Sequence, residues 1–228
     1  MCGRIVRDRL DDYQEYFGLA KVPDVYVRPR FNITPTQMDL IIRVHEGGRR
    51  LEESRWGLIP VWAKDRSIGS RMFNARAETL LGKTAFKGLV KSRRCIIPAS
   101  GFYEWQKTPA GKAPLYIYRA DGAPLALAGL CTFWQDPARE EWVTSHTIVT
   151  CAPNEFMASI HNRMPVVLGE DALSLWLDPA DAEPTDLLPL LTPCPDDWLS
   201  CHRVSTLVNN VRNDGPPLVE PLVQSSAV

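Results

Sequence analysis

Residues 101–118, GFYEWQKTPAGKAPLYIY, contain two runs of β-forming residues separated by a turn signal. The first run covers 102–105 and the second covers 115–118. Between them, Thr108-Pro109-Ala110-Gly111 brings together residue types that favour tight turns. The stretch therefore predicts an antiparallel β-hairpin.

Short runs of the same kind continue on both sides of this hairpin, separated by further turn signals. They cover residues 40–44, 55–59, 95–97, 125–130, 142–150 and 165–168, with brief helical patterns at 85–91, 154–160, 171–177 and 185–191. Leu10, Tyr13 and Phe17 follow helical spacing and precede Gly18, which predicts a short amphipathic helix over 10–18. We expect an α+β fold with a mixed, largely antiparallel sheet or open barrel, edged by short helices.

Composition points to a globular protein that can bury a sizeable core. The chain has 228 residues, of which 45% are hydrophobic and 23% charged. Because no linker or low-complexity run divides it, we expect one domain over 1–228, with an irregular tail from about 218 to 228. Since the N-terminus has no apolar h-region and no stretch approaches 18 uninterrupted apolar residues, we expect a cytoplasmic, nucleoid-associated protein with no membrane partner. We also expect a monomer.

Cysteine spacing and the distribution of charge indicate which ligands and partners the chain can bind. The six cysteines are dispersed without a Cys-x-x-Cys pair, so we expect no metal and no cofactor; Cys194, Cys201 and His202 come nearest to a metal cluster. The net charge is −1, yet residues 1–100 hold 19 Lys+Arg against 11 Asp+Glu, while 101–228 hold 7 against 16. A basic face is therefore expected, unless the two halves interleave in space.

The chain begins Met1-Cys2-Gly3-Arg4, so removal of Met1 by an aminopeptidase would leave Cys2 as the N-terminus. Such a terminus is a 1,2-aminothiol, with an amine of ordinary pKa about 7.7 to 8.0 beside a thiol of about 8.5. The amine can condense with an aldehyde, and the thiol can then close a thiazolidine ring. The alternative is that Cys2 is only a small residue beside the initiator.

Two residues are suited to proton transfer. Glu104 interrupts an aromatic run, so its carboxylate either enters a partly apolar site, where its pKa would rise, or faces solvent in a cross-strand ion pair. His161 follows a short helical pattern, precedes a strand containing Pro165, and sits beside Asn162 and Arg163. Its ordinary pKa suits proton transfer at neutral pH, although a lone histidine is usually structural.

Two further segments mix polar and aromatic residues. In Phe73-Asn74-Ala75-Arg76-Ala77-Glu78-Thr79, Asn74 could hold the N-terminus or a sugar hydroxyl while Arg76 takes a phosphate, or Asn74 could cap a helical turn over 75–81. In the first half of the chain Trp56, Trp62 and Phe73 alternate with Arg and Lys. Such a pattern fits single-stranded nucleic acid, but core tryptophans with solvated arginines would look the same.

Taken together and in this order, six segments resemble the SOS response-associated peptidase family, whose members are also described as abasic-site processing proteins. These are residues 1–4, 56–62, 74–76, 101–105, 161–165, and 204–205 with 209–213. The resemblance implies a single α+β domain that senses abasic sites in single-stranded DNA. It further implies a covalent crosslink that shields the lesion at stalled replication forks.

The same resemblance assigns roles to residues. Cys2 is the expected nucleophile, Asn74 holds the N-terminus and the opened sugar, Glu104 moves protons during imine formation, and His161 assists ring opening. Four further positions match DNA contacts: Arg4, Trp62, Arg76 and Arg163. Many bacterial members carry a second aromatic where this chain has Ala63. The family name also implies self-removal of the residue before Cys2, and the same amine could support strand cleavage by β-elimination.

Two rival functions stay open from the residues. An N-terminal nucleophile amidohydrolase of the glutamine amidotransferase type also begins Met-Cys-Gly and uses the freed amine as base for its thiol. It does not account for Glu104, His161 and the Trp/Arg segment as a set. A noncatalytic single-strand binding module would leave Cys2 incidental and would bind reversibly with strong salt dependence.

Overall fold

Strands make up most of the regular structure in the computed structural model, which describes residues 2–21, 28–46, 48–178 and 183–222. The strands are β1 (Ile5–Arg7), β2 (Leu19–Lys21), β3 (Arg30–Ile33), β4 (Met38–His45), β5 (Gly48–Trp56), β6 (Asn74–Arg76), β7 (Arg94–Ala99), β8 (Gly101–Thr108), β9 (Gly111–Arg119), β10 (Leu125–Gln135), β11 (Trp142–Cys151), β12 (Met164–Pro165) and β13 (Leu199–Arg203). The α-helices are α1 (Leu10–Tyr16), α2 (Leu89–Ser92), α3 (Glu155–Ala158), α4 (Glu170–Leu177) and α5 (Pro184–Leu187).

The predicted hairpin is confirmed as β8 and β9, which pair from Phe102 opposite Ile117 to the turn at Thr108 and Gly111. It forms the middle of a five-stranded antiparallel sheet with the order β13-β9-β8-β1-β3. The first residue of the hairpin, Gly101, must be a glycine because a Cβ there would lie 2.5 Å from the Ile117 carbonyl oxygen. Any larger residue would push the two strands apart.

The remaining strands form a second sheet that closes on itself. Its order is β12-β11-β10-β7-β4-β5-β2, and β11 also pairs with β5 in parallel, with Ser145 opposite Arg55. This pairing joins β5, β4, β7, β10 and β11 into a ring. β6 adds to β11 in parallel beyond the end of β5. The mixed, largely antiparallel fold with a barrel core is confirmed, and the β5–β11 pairing closes the barrel.

Large apolar side chains fill the space inside this framework. Tyr13 and Phe17 of the predicted N-terminal helix are fully buried, and Gly18 ends that helix with a φ of +58°. Trp56 is also fully buried, and its indole nitrogen donates to the Phe73 carbonyl oxygen at 2.9 Å. Trp56 is therefore a core residue, as the alternative interpretation of the Trp/Arg segment allowed, and it does not stack on bases.

Gly57, which follows Trp56, has a structural role. Its φ is +122°, and a Cβ there would lie 2.5 Å from the Gly69 carbonyl oxygen. The close approach of these two glycines holds the 58–63 loop against the 3₁₀ turn at 66–71. The Trp-Gly pair therefore shapes the loop that presents Trp62.

The predicted helices at 154–160 and 171–177 are confirmed as α3 and α4, with small shifts at their ends. The pattern at 85–91 forms turns followed by α2, and the pattern at 185–191 forms α5 followed by a 3₁₀ turn at 188–190. In the predicted irregular tail, Pro216–Leu218 form a 3₁₀ turn and Leu222 bonds to the Arg203 carbonyl oxygen, while 223–228 lie outside the described residues. No helix within the described ranges combines the length and apolar character needed to cross a bilayer.

Candidate active site at the seam of the two sheets

The first strand carries Cys2 into the interior. β1 lies between β3 and β8, and Ile5 is opposite Phe102. The Tyr103 N–H donates to the Arg4 carbonyl oxygen at 3.0 Å, which continues the same register towards the N-terminus. That register brings the start of the chain alongside Glu104, and Cys2 is fully buried there. Pairing of β1 with the hairpin therefore determines where the candidate nucleophile lies.

Asn74 joins Cys2 to the barrel. It begins β6, opposite Ile148 of β11, and its Nδ2 donates to the Cys2 carbonyl oxygen at 2.8 Å. Its Oδ1 is buried and has no hydrogen-bond partner within the described part of the chain. The idea that Asn74 caps a helical turn is wrong, because it is a strand residue and the 3₁₀ turn at 77–79 has no side-chain cap. Its amide instead offers an acceptor beside Cys2.

Glu104 lies in the same enclosed region. It is a β8 residue with only 5% of its surface exposed, so the alternative of a solvent-facing strand residue is wrong. Burial raises the pKa of the Cys2 thiol well above its usual range, and the nearby Glu104 carboxylate raises it further. The thiol is consequently held protonated at neutral pH next to a carboxyl group.

His161 has a backbone partner for either protonation state. It follows α3 and precedes β12, as predicted, and is partly buried. The Arg163 N–H donates to His161 Nδ1 at 3.0 Å, and the Arg163 carbonyl oxygen lies 3.2 Å from the same nitrogen. An unprotonated Nδ1 can accept from the N–H, and a protonated Nδ1 can donate to the carbonyl. The Arg163 backbone thus holds the ring in one orientation through Nδ1.

The Arg163 side chain is held by groups of the protein itself. Its Nη1 and Nη2 donate to the two Glu78 carboxylate oxygens at 2.8 and 3.0 Å, and Nη2 also donates to the Thr150 carbonyl oxygen at 2.7 Å. The guanidinium lowers the pKa of Glu78 by hydrogen bonding to its carboxylate. The predicted phosphate contact of Arg163 would compete with this pair.

Arg4 is likewise engaged within the protein. Its Nη1 donates to Asn32 Oδ1 at 2.7 Å and to the Val208 carbonyl oxygen at 2.5 Å. Its guanidinium lies over the Trp105 ring, 5.3 Å from the ring centroid. These contacts join the N-terminal segment to β3 and to the 3₁₀ turn at 206–209, so Arg4 has a structural role.

The other two predicted DNA contacts face solvent. Trp62 is 58% exposed, and Arg76 is exposed at the end of β6. Trp62 lines a groove that is also lined by Leu89 and Arg93. Eight exposed cations occur between residues 64 and 93: Lys64, Arg66, Arg71, Arg76, Lys83, Lys87, Lys91 and Arg93. The basic half of the sequence thus supplies several solvent-facing cations, of which Arg93 lines the same groove as Trp62.

The structure also shows residues that sequence reasoning missed. Asn32 is 1% exposed, and its Nδ2 donates to the carbonyl oxygens of Asn210 and Asn213 at 3.1 and 2.9 Å. A lone asparagine between Phe31 and Ile33 in a β-pattern is the available signal, since a buried polar side chain needs partners. Glu78 was within a segment singled out above, but nothing in the sequence linked it to Arg163.

Metal binding is not suggested by side-chain geometry in the described ranges, where no three His, Cys, Asp or Glu side chains come together as a possible metal site. Cys201 and His202 are adjacent in β13, and His202 Nε2 lies 2.7 Å from the Val219 carbonyl oxygen.

Fold and site together define a class of protein: a small α+β barrel in which a second-position cysteine is buried beside an amide and a carboxyl group. The family model described as SOS response associated peptidase (SRAP) matches residues 1–211. The chain belongs to this family, which confirms the resemblance seen in its motifs.

Named relatives and solved structures agree with this assignment. The chain is 42% identical to the abasic site processing protein YoqW of Bacillus subtilis, over 96% of this chain and 99% of that protein. It is 34% identical to the abasic site processing protein HMCES of Gallus gallus, over 86% of this chain and 67% of that protein. A Bordetella bronchiseptica protein has a similar structure, with a TM-score of 0.76, 28% identity and coverage of 90% and 100%. A Bacteroides thetaiotaomicron protein shares the fold, with a TM-score of 0.87, 24% identity and coverage of 97% and 100%.

Proposed function

We propose that this protein processes abasic sites in single-stranded DNA by joining them covalently to Cys2, which shields the lesion. The observation that carries the proposal is the 2.8 Å hydrogen bond from Asn74 to the Cys2 carbonyl oxygen, which holds the start of the chain in the enclosed region near Glu104. The names of the relatives support the substrate. A ring-opened abasic deoxyribose carries the aldehyde that an aminothiol captures.

The chemistry balances with loss of one water. After removal of Met1, the Cys2 amine adds to the aldehyde carbon, and the carbinolamine loses water to give an imine. The thiol sulfur then adds to the imine carbon, the thiol proton ends on nitrogen, and the thiazolidine closes. The raised pKa of the buried thiol supports an order in which the amine attacks first and the thiol delivers its own proton at ring closure.

Glu104 and His161 divide the proton transfers. Glu104, enclosed beside Cys2, moves protons between the attacking amine and the departing water. His161 exchanges a proton with the sugar through Nε2 during ring opening, while the Arg163 backbone holds Nδ1. Positioned general acids and bases typically contribute about 10²–10⁴-fold to a rate. Substitution of either residue should therefore slow adduct formation more than it weakens DNA binding.

DNA binding rests on the exposed cations and Trp62. Arg76 follows Asn74 by two residues on β6, so a phosphate bound there lies close to the residue that holds Cys2. Trp62 offers an exposed face on which a base can stack, and base stacking on an aromatic side chain is sequence-tolerant. Arg4 and Arg163 are further proposed contacts, and Arg163 would have to exchange Glu78 for a phosphate.

Two finer activities belong to the same proposal. A Schiff base at the Cys2 amine acidifies the adjacent sugar carbon, so β-elimination gives a lyase product whenever the thiol closes the ring slowly. Self-removal of Met1 would expose the amine without an external peptidase. Synthesis of the wild-type and Cys2→Ala chains in a translation mixture without methionine aminopeptidase tests the second activity, because a self-cleaving protein that needs Cys2 should lose Met1 while the variant retains it.

Intact mass measurement tests the proposal directly. The purified chain is incubated with a single-stranded oligonucleotide containing one abasic site, and its mass is compared with that of the Cys2→Ala variant. We expect a chain without Met1 and a Cys2-dependent adduct equal to protein plus DNA minus one water. A denaturation-resistant adduct of normal yield with Cys2→Ala would contradict the mechanism.

The same experiment separates the rival functions. A glutamine amidotransferase would hydrolyse free glutamine and give no adduct. A noncatalytic binding module would give only reversible binding, whose log affinity falls linearly with log salt concentration. An adduct that survives denaturation excludes both as complete descriptions.

A further inference from the structure

Glu78 stands outside the set of residues assigned to the chemistry, yet it is bonded to that set. Its carboxylate forms a bidentate pair with Arg163, at 2.8 and 3.0 Å. The Glu78 side chain is 50% exposed and the Arg163 side chain is 15% exposed. Fork-to-fork pairs of this type add geometric specificity to a charge-assisted hydrogen bond.

The Arg163 side chain and its main chain face different partners. The guanidinium binds Glu78 and the Thr150 carbonyl oxygen, whereas the backbone N–H holds His161 Nδ1 at 3.0 Å. Residues 161–163 form an irregular link between α3 and β12. Anchoring the guanidinium therefore fixes the backbone groups on which the imidazole rests.

Glu78 also lies close in the chain to β6, the strand whose first residue, Asn74, binds Cys2. It lies in the 3₁₀ turn that begins at Ala77, immediately after β6, whose first residue Asn74 binds the Cys2 carbonyl oxygen. The bonds from Glu78 to Arg163 and from Arg163 to His161 thus connect the Cys2 side of the site to the imidazole side.

We propose that Glu78 is a positioning residue: through Arg163 it fixes His161 relative to Cys2, and it withholds the Arg163 guanidinium from the DNA backbone. This inference rests on the proposed function. While the pair is intact, a phosphate cannot take the same two nitrogens. Arg163 then acts chiefly on the position of His161, and Arg76 remains an exposed cation for the DNA near Asn74.

Glu78→Gln gives two effects of opposite sign. The glutamine keeps the size of the side chain but not its charge, so Arg163 becomes available to a phosphate. Each phosphate contact on a single strand contributes about −0.7 to the slope of log affinity against log salt concentration. The ratio of the variant's affinity to the wild-type affinity should therefore grow about fivefold for each tenfold fall in salt concentration. The single-turnover rate of crosslinking at saturating DNA should fall by about tenfold, because the imidazole is less well held.

Asp121→Asn is the matched control. Asp121 pairs with Arg119 through both carboxylate oxygens, and its side chain is 55% exposed. The control removes the same kind of pair with similar exposure, outside the Arg163 network. It should change neither the single-strand affinity nor the crosslinking rate.

Two more measurements keep the test decisive if Glu78→Gln folds poorly. Arg163→Ala should slow crosslinking without tightening binding, and adding Glu78→Gln to it should produce no further loss, since both act through one link. Nitrogen NMR of the His161 ring reports the tautomer without any DNA. We expect the neutral wild-type ring to carry its proton on Nε2 and the Glu78→Gln ring to show a mixture.

Failure of this inference can be distinguished from failure of the proposed function. If the wild type forms no crosslink, the proposed function fails, and the NMR tautomer still reports on Glu78. If Glu78→Gln crosslinks at the wild-type rate with an unchanged tautomer, the positioning role is refuted. If the variant binds single strands more weakly, or if the salt dependence of its affinity equals that of the wild type, then Glu78 does not withhold Arg163 from the DNA backbone.

Discussion

Replacement of Asn74 by alanine tests the contact that joins the two sheets at Cys2. The change removes the 2.8 Å hydrogen bond to the Cys2 carbonyl oxygen and leaves that buried acceptor without its partner. An unmade hydrogen bond of this kind costs about 1–3 kcal/mol. The same change also deletes Oδ1, a buried acceptor that has no partner within the described chain, which offsets part of the loss. We therefore expect the free energy of unfolding to fall by about 1 kcal/mol, which is the low end of that range.

The effect on chemistry should be larger than the effect on stability. If both amide atoms act on Cys2 and the opened sugar, the transition state loses about 1–3 kcal/mol, which corresponds to a rate lower by about 5- to 150-fold. The assay is single-turnover crosslinking to an oligonucleotide with one abasic site, resolved under denaturing conditions. Urea unfolding of the same preparation gives the stability.

Ser54→Ala is a matched control for this prediction. Ser54 is fully buried and its Oγ lies 3.0 Å from His146 Nδ1, so this variant also loses one buried side-chain hydrogen bond. Its stability should fall while its crosslinking rate stays at the wild-type value. If Asn74→Ala crosslinks as fast as the wild type, or if Ser54→Ala is slowed equally, the reasoning about Asn74 is refuted.

Two other predictions concern DNA affinity and pH. Trp62→Ala should weaken noncovalent single-strand binding by about 1–3 kcal/mol per lost base stack, measured by fluorescence anisotropy, whereas Trp142→Ala, which removes a tryptophan that is 68% exposed, should leave it unchanged. Burial lowers the pKa of His146 to about 3, so the unfolded chain takes up a proton below about pH 6.5 that the folded chain does not. The contribution of His146 to the free energy of unfolding is therefore complete above that pH and should be lower by about 2 kcal/mol at pH 5. Urea unfolding at both pH values, with His146→Leu as the comparison, measures this difference. Equal pH dependence in the two chains would show that His146 is not the source.

Local pattern was sufficient for the hairpin and for the N-terminal helix. Alternation and turn residues are short-range signals, and they predicted the β8–β9 pair correctly because Pro109 and Gly111 leave few other structures for that segment. The helix at α1 was equally local, since Gly18 with a φ of +58° ends it. Closure of the barrel was not predictable in this way. It depends on the parallel pairing of β5 with β11, about 90 residues apart, for which no local signal exists.

The chemical character of the site could be predicted, but its contacts could not. The residue types at Cys2, Asn74, Glu104 and His161 indicated an aminothiol with proton-transfer groups. Which atom of Asn74 meets Cys2, and that Glu104 is buried, depended on strand register, because a shift of one residue would turn each side chain to the opposite face.

One strand of the barrel, β11, aligns both Asn74 and the backbone support of His161. β11 pairs with β10, β12, β5 and β6, and its residues from Ser145 to Cys151 are all buried. Through Ile148 it aligns Asn74, and through Thr150 it receives the guanidinium of Arg163, whose backbone holds His161. Cys2 and Glu104 come from the other sheet, so the Asn74–Cys2 bond is the point at which the two alignments meet. A change that shifted β11 by one residue would separate the amide from Cys2 and the imidazole from its backbone support together, which is why the site depends on the closed barrel.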